Sequence, residues 1–211
     1  MSILKLIFSN IIKLWSFFYT LSVHQWLMQL SDGFYTMWVR NFMGEVGKKT
    51  RFSRPLLLQG GGQKRIKIGC NSKFASHCVL GAWICYGVSD MFEPEIIIGE
   101  SCSFGEYCHI TAIRKITIGD GLLTGRFVYI GDNSHGGLSW EEATIPPAKR
   151  HLLSKGEIKI GNNVWIGDKV SILGGVTIGD NVIIGAGTIV THDIPSNSIA
   201  AGIPVRILKK L

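Results

Sequence analysis

From Ile160 onward an aliphatic side chain returns at every sixth position: Ile160, Ile166, Ile172, Ile178, Ile184 and Val190. A helix repeats its apolar positions at intervals of three and four, and a half-buried strand at intervals of two. A strict six, with Gly, Asn or Asp following the apolar residue, predicts a short strand and a turn, repeated. The same beat runs upstream through Ile68, Phe74 and Leu80, then Ile98, Phe104 and Ile110, then Ile118, Thr124 and Ile130. Taken in threes these positions give five sets of about eighteen residues, and three flat strands per set close one triangular coil. The pattern therefore predicts a mainly β chain, a parallel β-helix of about five coils. The recurring side chains point inward and stack from coil to coil, each contributing roughly 1.5–3 kcal/mol when fully buried.

Departures from the beat locate insertions, which a solenoid places at its corners. One spans residues 86 to 97, a minor one adds residues 116 and 117, and the longest is an arm over 136–159. The arm contains "IPPAKRHLLSKG", whose prolines and charges predict an exposed segment. His135 stands at its base, where the regular pattern stops, in "VYIGDNSHGG". Functional residues concentrate at such loop bases on rigid scaffolds.

The two ends follow other patterns. Residues 1 to 30 read as helix, with Lys5, Ser9, Lys13, Ser16, Thr20 and His24 tracing a narrow polar stripe among Ile, Leu, Phe and Trp. A break is expected at Ser31-Asp32-Gly33, before a second apolar stretch from Phe34 to Met43. For residues 1–43 two readings stay open: helices packed on each other and on neighbouring subunits, or helices lying on a membrane surface. Lys13 and the polar stripe argue against a spanning helix. The organisation expected is an apolar helical segment over 1–48, the β-helix over 49–192, and a tail over 193–211 that ends with Arg206, Lys209 and Lys210 close together.

Composition adds three constraints. The 211 residues suffice for one domain with a short appendage, and 46% hydrophobic with 18% charged residues argues against disorder. The net charge of +7 is concentrated in residues 1 to 54, where Lys5, Lys13, Arg40, Lys48, Lys49, Arg51 and Arg54 face only Asp32 and Glu45. That excess favours an anionic lipid surface or a phosphorylated ligand, and no nucleic-acid motif accompanies it. Cys70, Cys78, Cys85, Cys102 and Cys108 form no C-x-x-C pair, which predicts reduced thiols in a cytoplasmic protein. No small-residue cleavage site follows a short apolar run, so no secretory signal is expected.

Over residues 60 to 208, most strongly in "IKIGNNVWIGDKVSILGGVTIGDNVIIGAGTIVTHDIPSNSIAAGIPVRILKK", the chain resembles the hexapeptide-repeat acyltransferases, and among them the sugar and polysaccharide O-acetyltransferases. The resemblance implies a left-handed coil, whereas the general crossover rule would give the opposite hand. It also implies acetyl-coenzyme A as acyl donor, a hydroxyl of a sugar or surface polysaccharide precursor as acceptor, and a homotrimer with its clefts between subunits. No metal is implied. His135 matches the family's catalytic histidine. Where the polysaccharide branch often reads D-H-x-H-G, this chain has Asp132, Asn133, Ser134, His135 and Gly136, so Asn replaces the first histidine. Asp132, Asn133, Tyr107 and His109 are the expected acceptor-binding residues. Trp165, Asp168, Ala186, Thr191, Arg206 and Lys209 match positions along the coenzyme, and His192 stands where many relatives carry Lys.

The chemistry expected follows from an imidazole, which as a class titrates near pH 6.5 and can accept a proton as an alkoxide forms. The hydroxyl would attack the thioester directly, with backbone N–H groups stabilising the oxyanion and the thiolate leaving. Other acceptors on the same fold, such as serine, an antibiotic or an amino sugar, remain alternatives, as does a non-catalytic β-helix binding protein. A zinc site like that of the γ-type carbonic anhydrases is not expected, since its two histidines five apart find no match among His24, His77, His109, His135, His151 and His192. The location expected is cytoplasmic, at most peripheral to the inner face of the cell membrane.

Overall fold

The computed structural model describes residues 3–87, 90–137 and 139–210. Three parallel sheets form the faces of a triangular prism. Face one runs through Glu45–Val46, Ile66–Ile68, Glu95–Ile98, Lys115–Ile118, Ile158–Ile160 and Thr177–Ile178. Face two runs through Arg51–Phe52, Lys73–Phe74, Ser103–Phe104, Leu123–Thr124, Trp165–Ile166, Ile183–Ile184 and Ser198–Ala201, and the antiparallel strand Arg206–Lys210 closes its edge. Face three runs through Leu56–Gln59, Cys78–Ala82, His109–Ala112, Tyr129–Gly131, Ser171–Leu173 and Ile189–Val190.

The residues on the beat meet in register. Ile68 pairs with Ile98, Ile98 with Ile118, Ile118 with Ile160 and Ile160 with Ile178, all of them buried. On face two the inward column begins with stacked rings, Phe52 on Phe74 at 5.1 Å and Phe74 on Phe104 at 4.5 Å, and continues through Thr124 to Ile166 and Ile184. Corners require left-handed backbone, and Asn71, Asn163, Asn181 and Asn197 supply it with φ between 55° and 59°. Their amides also join coil to coil, Asn163 to Asn181 at 3.4 Å and Asn181 to Asn197 at 3.0 Å.

Three expectations are corrected. Face one holds a strand before Ile66, so the prism has six coils where five were expected. Its first coil carries the beat at Val46, Phe52 and Leu58, which pair with Ile68, Phe74 and Leu80. The β-helix therefore starts at Glu45, inside the segment assigned to the helical front end. The helical break also moves: α1 (Ile3–Phe18) ends before Tyr19, and α2 (Leu21–Val39) continues through Ser31-Asp32-Gly33. Thr20 caps α2, its hydroxyl accepting from Val23 N at 3.3 Å. The C-terminal half of α2 is fixed on the first coil. Thr36 Oγ1 accepts from Phe52 N at 3.0 Å, and Tyr35 Oη donates to Leu56 O at 3.1 Å and accepts from Leu56 N at 2.9 Å.

Candidate active site

His135 lies just past the end of face three, where the arm leaves the prism. Ser134–His135 pairs antiparallel with Leu152–Leu153, so the arm returns beside the residue it started from. Within the arm, α3 (Trp140–Ala143) is capped by Ser139, whose hydroxyl accepts from Glu142 N at 3.1 Å. Glu142 Oε2 in turn accepts from Gly137 N at 2.8 Å, closing the loop at its neck.

The insertion expected over 86–97 ends where Glu95 joins face one, and its ribbon clasps this arm. Cys85–Tyr86 and Asp90–Met91 pair as a small antiparallel ribbon. Asp90 reaches across, with Oδ1 2.5 Å from His151 Nδ1 and Oδ2 accepting from Leu152 N at 3.1 Å. Tyr86 donates its hydroxyl to Ala148 O at 2.9 Å and stands edge-on to the His135 ring, centroids 5.2 Å apart. Two insertions from different coils thus hold the exposed His135 between them.

Below His135 opens a cavity of about 250 Å³ lined by Gln59, Trp83, Tyr86, His109, Thr111, Tyr129, Asn133 and Leu152. Its floor follows from small residues in register. Gly81, Thr111 and Gly131 stand side by side across face three. A Cβ on Gly131 would sit 2.1 Å from the Tyr129 hydroxyl, and one on Gly81 3.0 Å from Trp83 Nε1, so the missing side chains let both rings lie along the sheet. Trp83 Nε1 donates to Thr111 Oγ1 at 3.2 Å, and Asn133 Nδ2 donates to Thr111 O at 3.3 Å. Burial pushes the His109 imidazole below its ordinary value and the Tyr129 phenol above its own, with the charge of Asp132 adding to the latter.

Of the expected acceptor-binding residues, His109 and Asn133 line this cavity and the other two do not. Tyr107 lies at the corner between faces two and three with φ 59°, stacked between His77 at 4.6 Å and Phe127 at 4.9 Å. Asp132 is buried, and its carboxylate accepts from Ile113 N at 2.8 Å and Arg114 N at 2.9 Å, so it holds the turn of the preceding coil. Sequence reasoning missed Gln59, Trp83, Tyr86, Thr111, Tyr129 and Leu152. Thr111 and Tyr129 stand one position from a beat residue, on the outward side of face three, which is the signal that marks them.

The expected coenzyme residues occupy other parts of the prism. Trp165 projects from face two, in one row with Leu123, Ile183, Ile199 and Lys209. Three strand spacings separate Trp165 from Lys209, roughly 14 Å at about 4.8 Å per strand. Arg206 lies on the same final strand, opposite Ala201. Ala186 is exposed at the corner between faces two and three, beside Gly167 of the previous coil. Asp168 is at that corner too, but its Oδ1 accepts from Arg126 N at 2.7 Å, a turn-holding contact. Thr191 and His192 hydrogen-bond each other at 3.2 Å on the corner that His135 occupies two coils earlier. Within one chain none of these residues lines the cavity at His135. Among the described residues no cluster of His, Cys, Asp and Glu suited to a metal ion occurs.

Comparison with known proteins bears on this geometry. Residues 157–192 match the family described as bacterial transferase hexapeptide (six repeats). A putative lipopolysaccharide biosynthesis O-acetyl transferase of Escherichia coli is 36% identical over 119 residues, 54% of this chain and 60% of that protein. The galactoside O-acetyltransferase of Escherichia coli is 38% identical over 135 residues, 62% of this chain and 61% of that one. The chain thus spans about three fifths of the length of these curated relatives. Among solved structures, a maltose O-acetyltransferase from Clostridium difficile superposes with a TM-score of 0.54 at 29% identity, over 82% of this chain and 72% of that one. An N-acyltransferase from Bacillus cereus, crystallised with dTDP and coenzyme A, shares the fold with a TM-score of 0.66 at 22% identity, over 82% of this chain and 88% of that one. Repeat, fold and relatives agree: the chain is a left-handed parallel β-helix that carries the hexapeptide repeat over residues 157–192 and is similar to sugar O-acetyltransferases.

Proposed function

We propose that this protein transfers the acetyl group of acetyl-coenzyme A to a hydroxyl of a sugar, with His135 as general base. The observation that carries the reading is an exposed imidazole at the mouth of a cavity walled by Trp83, Tyr86 and Tyr129 and set with Gln59, Thr111 and Asn133. Aromatic faces suit the apolar faces of a sugar ring, and the amides and hydroxyl suit its hydroxyl groups. At about 250 Å³ the space is below the usual range for drug-sized ligands, roughly 300–1,000 Å³, and suits a single ring.

In the reaction, an imidazole nitrogen of His135 takes the proton of the acceptor hydroxyl as its oxygen attacks the thioester carbonyl. The tetrahedral intermediate collapses, the C–S bond breaks, and the imidazolium returns its proton to the departing thiolate. The row from Trp165 to Lys209 is the donor surface of this proposal. An aromatic and two aliphatic side chains line the arm, and Arg206 and Lys209 meet the phosphates. That row and His135 occupy different faces of one prism. The proposal therefore includes a homotrimer, in which the donor surface of one subunit faces the His135 corner of the next.

Release of the coenzyme A thiol with a panel of sugars, amino sugars and serine tests it. His135→Ala is expected to lower kcat by roughly 10²–10⁴ on the best acceptor. Its melting temperature should be unchanged, because the side chain is exposed. Near-normal turnover in that variant would overturn the assignment, and turnover restricted to amines would move the acceptor to an amino sugar.

A further inference from the structure

The front end of the chain carries an inference that does not depend on the acetyl-transfer reading. α1 has no buried residue, and its Ile, Leu, Phe and Trp side chains are exposed around the axis except along the stripe of Lys5, Ser9, Lys13 and Ser16. A helix meant for a protein surface has one apolar face and one charged face. α1 instead has apolar groups on most of its circumference, no acidic residue, and lysines as its only charges.

At 1.5 Å per residue its 16 residues reach about 24 Å, short of the roughly 30 Å hydrocarbon core of a bilayer. No single described helix is long and apolar enough to cross a membrane, and α1 meets the segment that follows at 64°. α2 cannot extend the span, because Tyr35 and Thr36 fasten its C-terminal half to the first coil.

A cavity of about 450 Å³ beside α2 adds a second observation. Trp26, Leu30, Phe34 and Met37 form an apolar wall, and Lys49 and Arg51 stand at its rim. Neither cation has a carboxylate partner among the described residues. An apolar wall under a cationic rim fits a lipid phosphate above its first methylene groups.

From these observations we infer that α1 and the adjoining part of α2 form a foot that docks on an anionic lipid bilayer. α1 lies in the interface, its lysine stripe toward the headgroups and its remaining circumference among the acyl chains. The bend at Tyr19–Thr20 sets α2 and the prism at an angle to α1. Leu56–Gln59 runs from the Tyr35 contact to Gln59 in the candidate acceptor cavity, about 10 Å at roughly 3.3 Å per residue. The cavity thus lies one strand length from the point where α2 is fastened to the first coil.

The test is co-sedimentation of the full-length protein with vesicles of phosphatidylcholine alone or with phosphatidylglycerol added. Binding at least about tenfold tighter to the anionic vesicles is expected, falling by about tenfold or more in Lys5→Glu/Lys13→Glu and in Ile12→Asp. Because α1 buries nothing, these variants should melt with the parent protein, which separates lost docking from lost folding. Equal retention on neutral vesicles, absence of binding, or oligomers that shield α1 and leave vesicles unbound would each overturn the inference.

Discussion

Asp132 shows how one carboxylate beside a catalytic candidate can serve the fold. It is 1% exposed, and desolvation lifts its pKa, although Ile113 N and Arg114 N hydrogen-bond to the charged form and pull it back. An aspartate ionises near 3.9 when unfolded, so between that value and the raised folded value the native protein holds a proton that the unfolded chain has released. Its contribution to stability is therefore largest below about pH 4 and declines as pH rises through the folded pKa. Melting curves of the parent and Asp132→Asn across that window should show the difference moving in the variant's favour as pH rises. A difference that moves the opposite way would mean that the two backbone donors outweigh burial. From sequence, Asp132 could not be told from an acceptor-binding residue, because a turn position and a site position both favour Asp. Tyr107 misled for a different reason. Strand alternation puts residues 107 and 109 on one side, but the left-handed corner at Tyr107 breaks the alternation and sends its ring to the solvent ladder.

At the scale of elements, the corners are the least replaceable parts. Asn181 combines φ 56° with amide contacts to the coils on either side. Changing it to Ala removes those contacts and leaves a side chain with no polar group to offset left-handed backbone, whose cost is roughly 1–2 kcal/mol for the conformation alone. Asn181→Gly removes the same contacts without that strain. Denaturant unfolding should therefore rank the parent first, Gly next and Ala last; equal losses would assign the effect to the hydrogen bonds. The corners at Asn163 and Asn181 were legible because each follows a beat residue and a Gly-Asn or Gly-Asp pair. The first coil was legible in principle too, since Val46, Phe52 and Leu58 keep the interval of six. Lys48, Lys49, Arg51 and Arg54 around them were counted with the basic front end, and the outward positions of a β-helix accept such residues because they face solvent. The helical break was misplaced because Gly33, costing about 1 kcal/mol in a helix, is carried by the hydrogen bonds of Tyr35 and Thr36 to the first coil.

For the whole molecule, the decisive fact is that a triangular prism separates what the proposed reaction must join. Face two presents the row from Trp165 to Lys209, whereas His135 stands at the corner between faces three and one, and none of that row lines the cavity at His135. If neighbouring subunits complete each other, two variants that are inactive separately should restore activity when mixed. His135→Ala retains the donor row, and Trp165→Glu retains the base while placing a carboxylate on the path of an anionic donor. In a trimer mixed at random from equal amounts, a seam works only when one side supplies the histidine and the other supplies the intact row. That combination arises at about a quarter of the seams, so about a quarter of the parent activity is expected after co-refolding. Sedimentation of each variant alone checks that the subunit count is kept, since Trp165 is exposed in the single chain and could face a partner. No recovery in mixtures of the right size would place base and donor in one subunit, and the thioester would then have to reach around a corner of the prism.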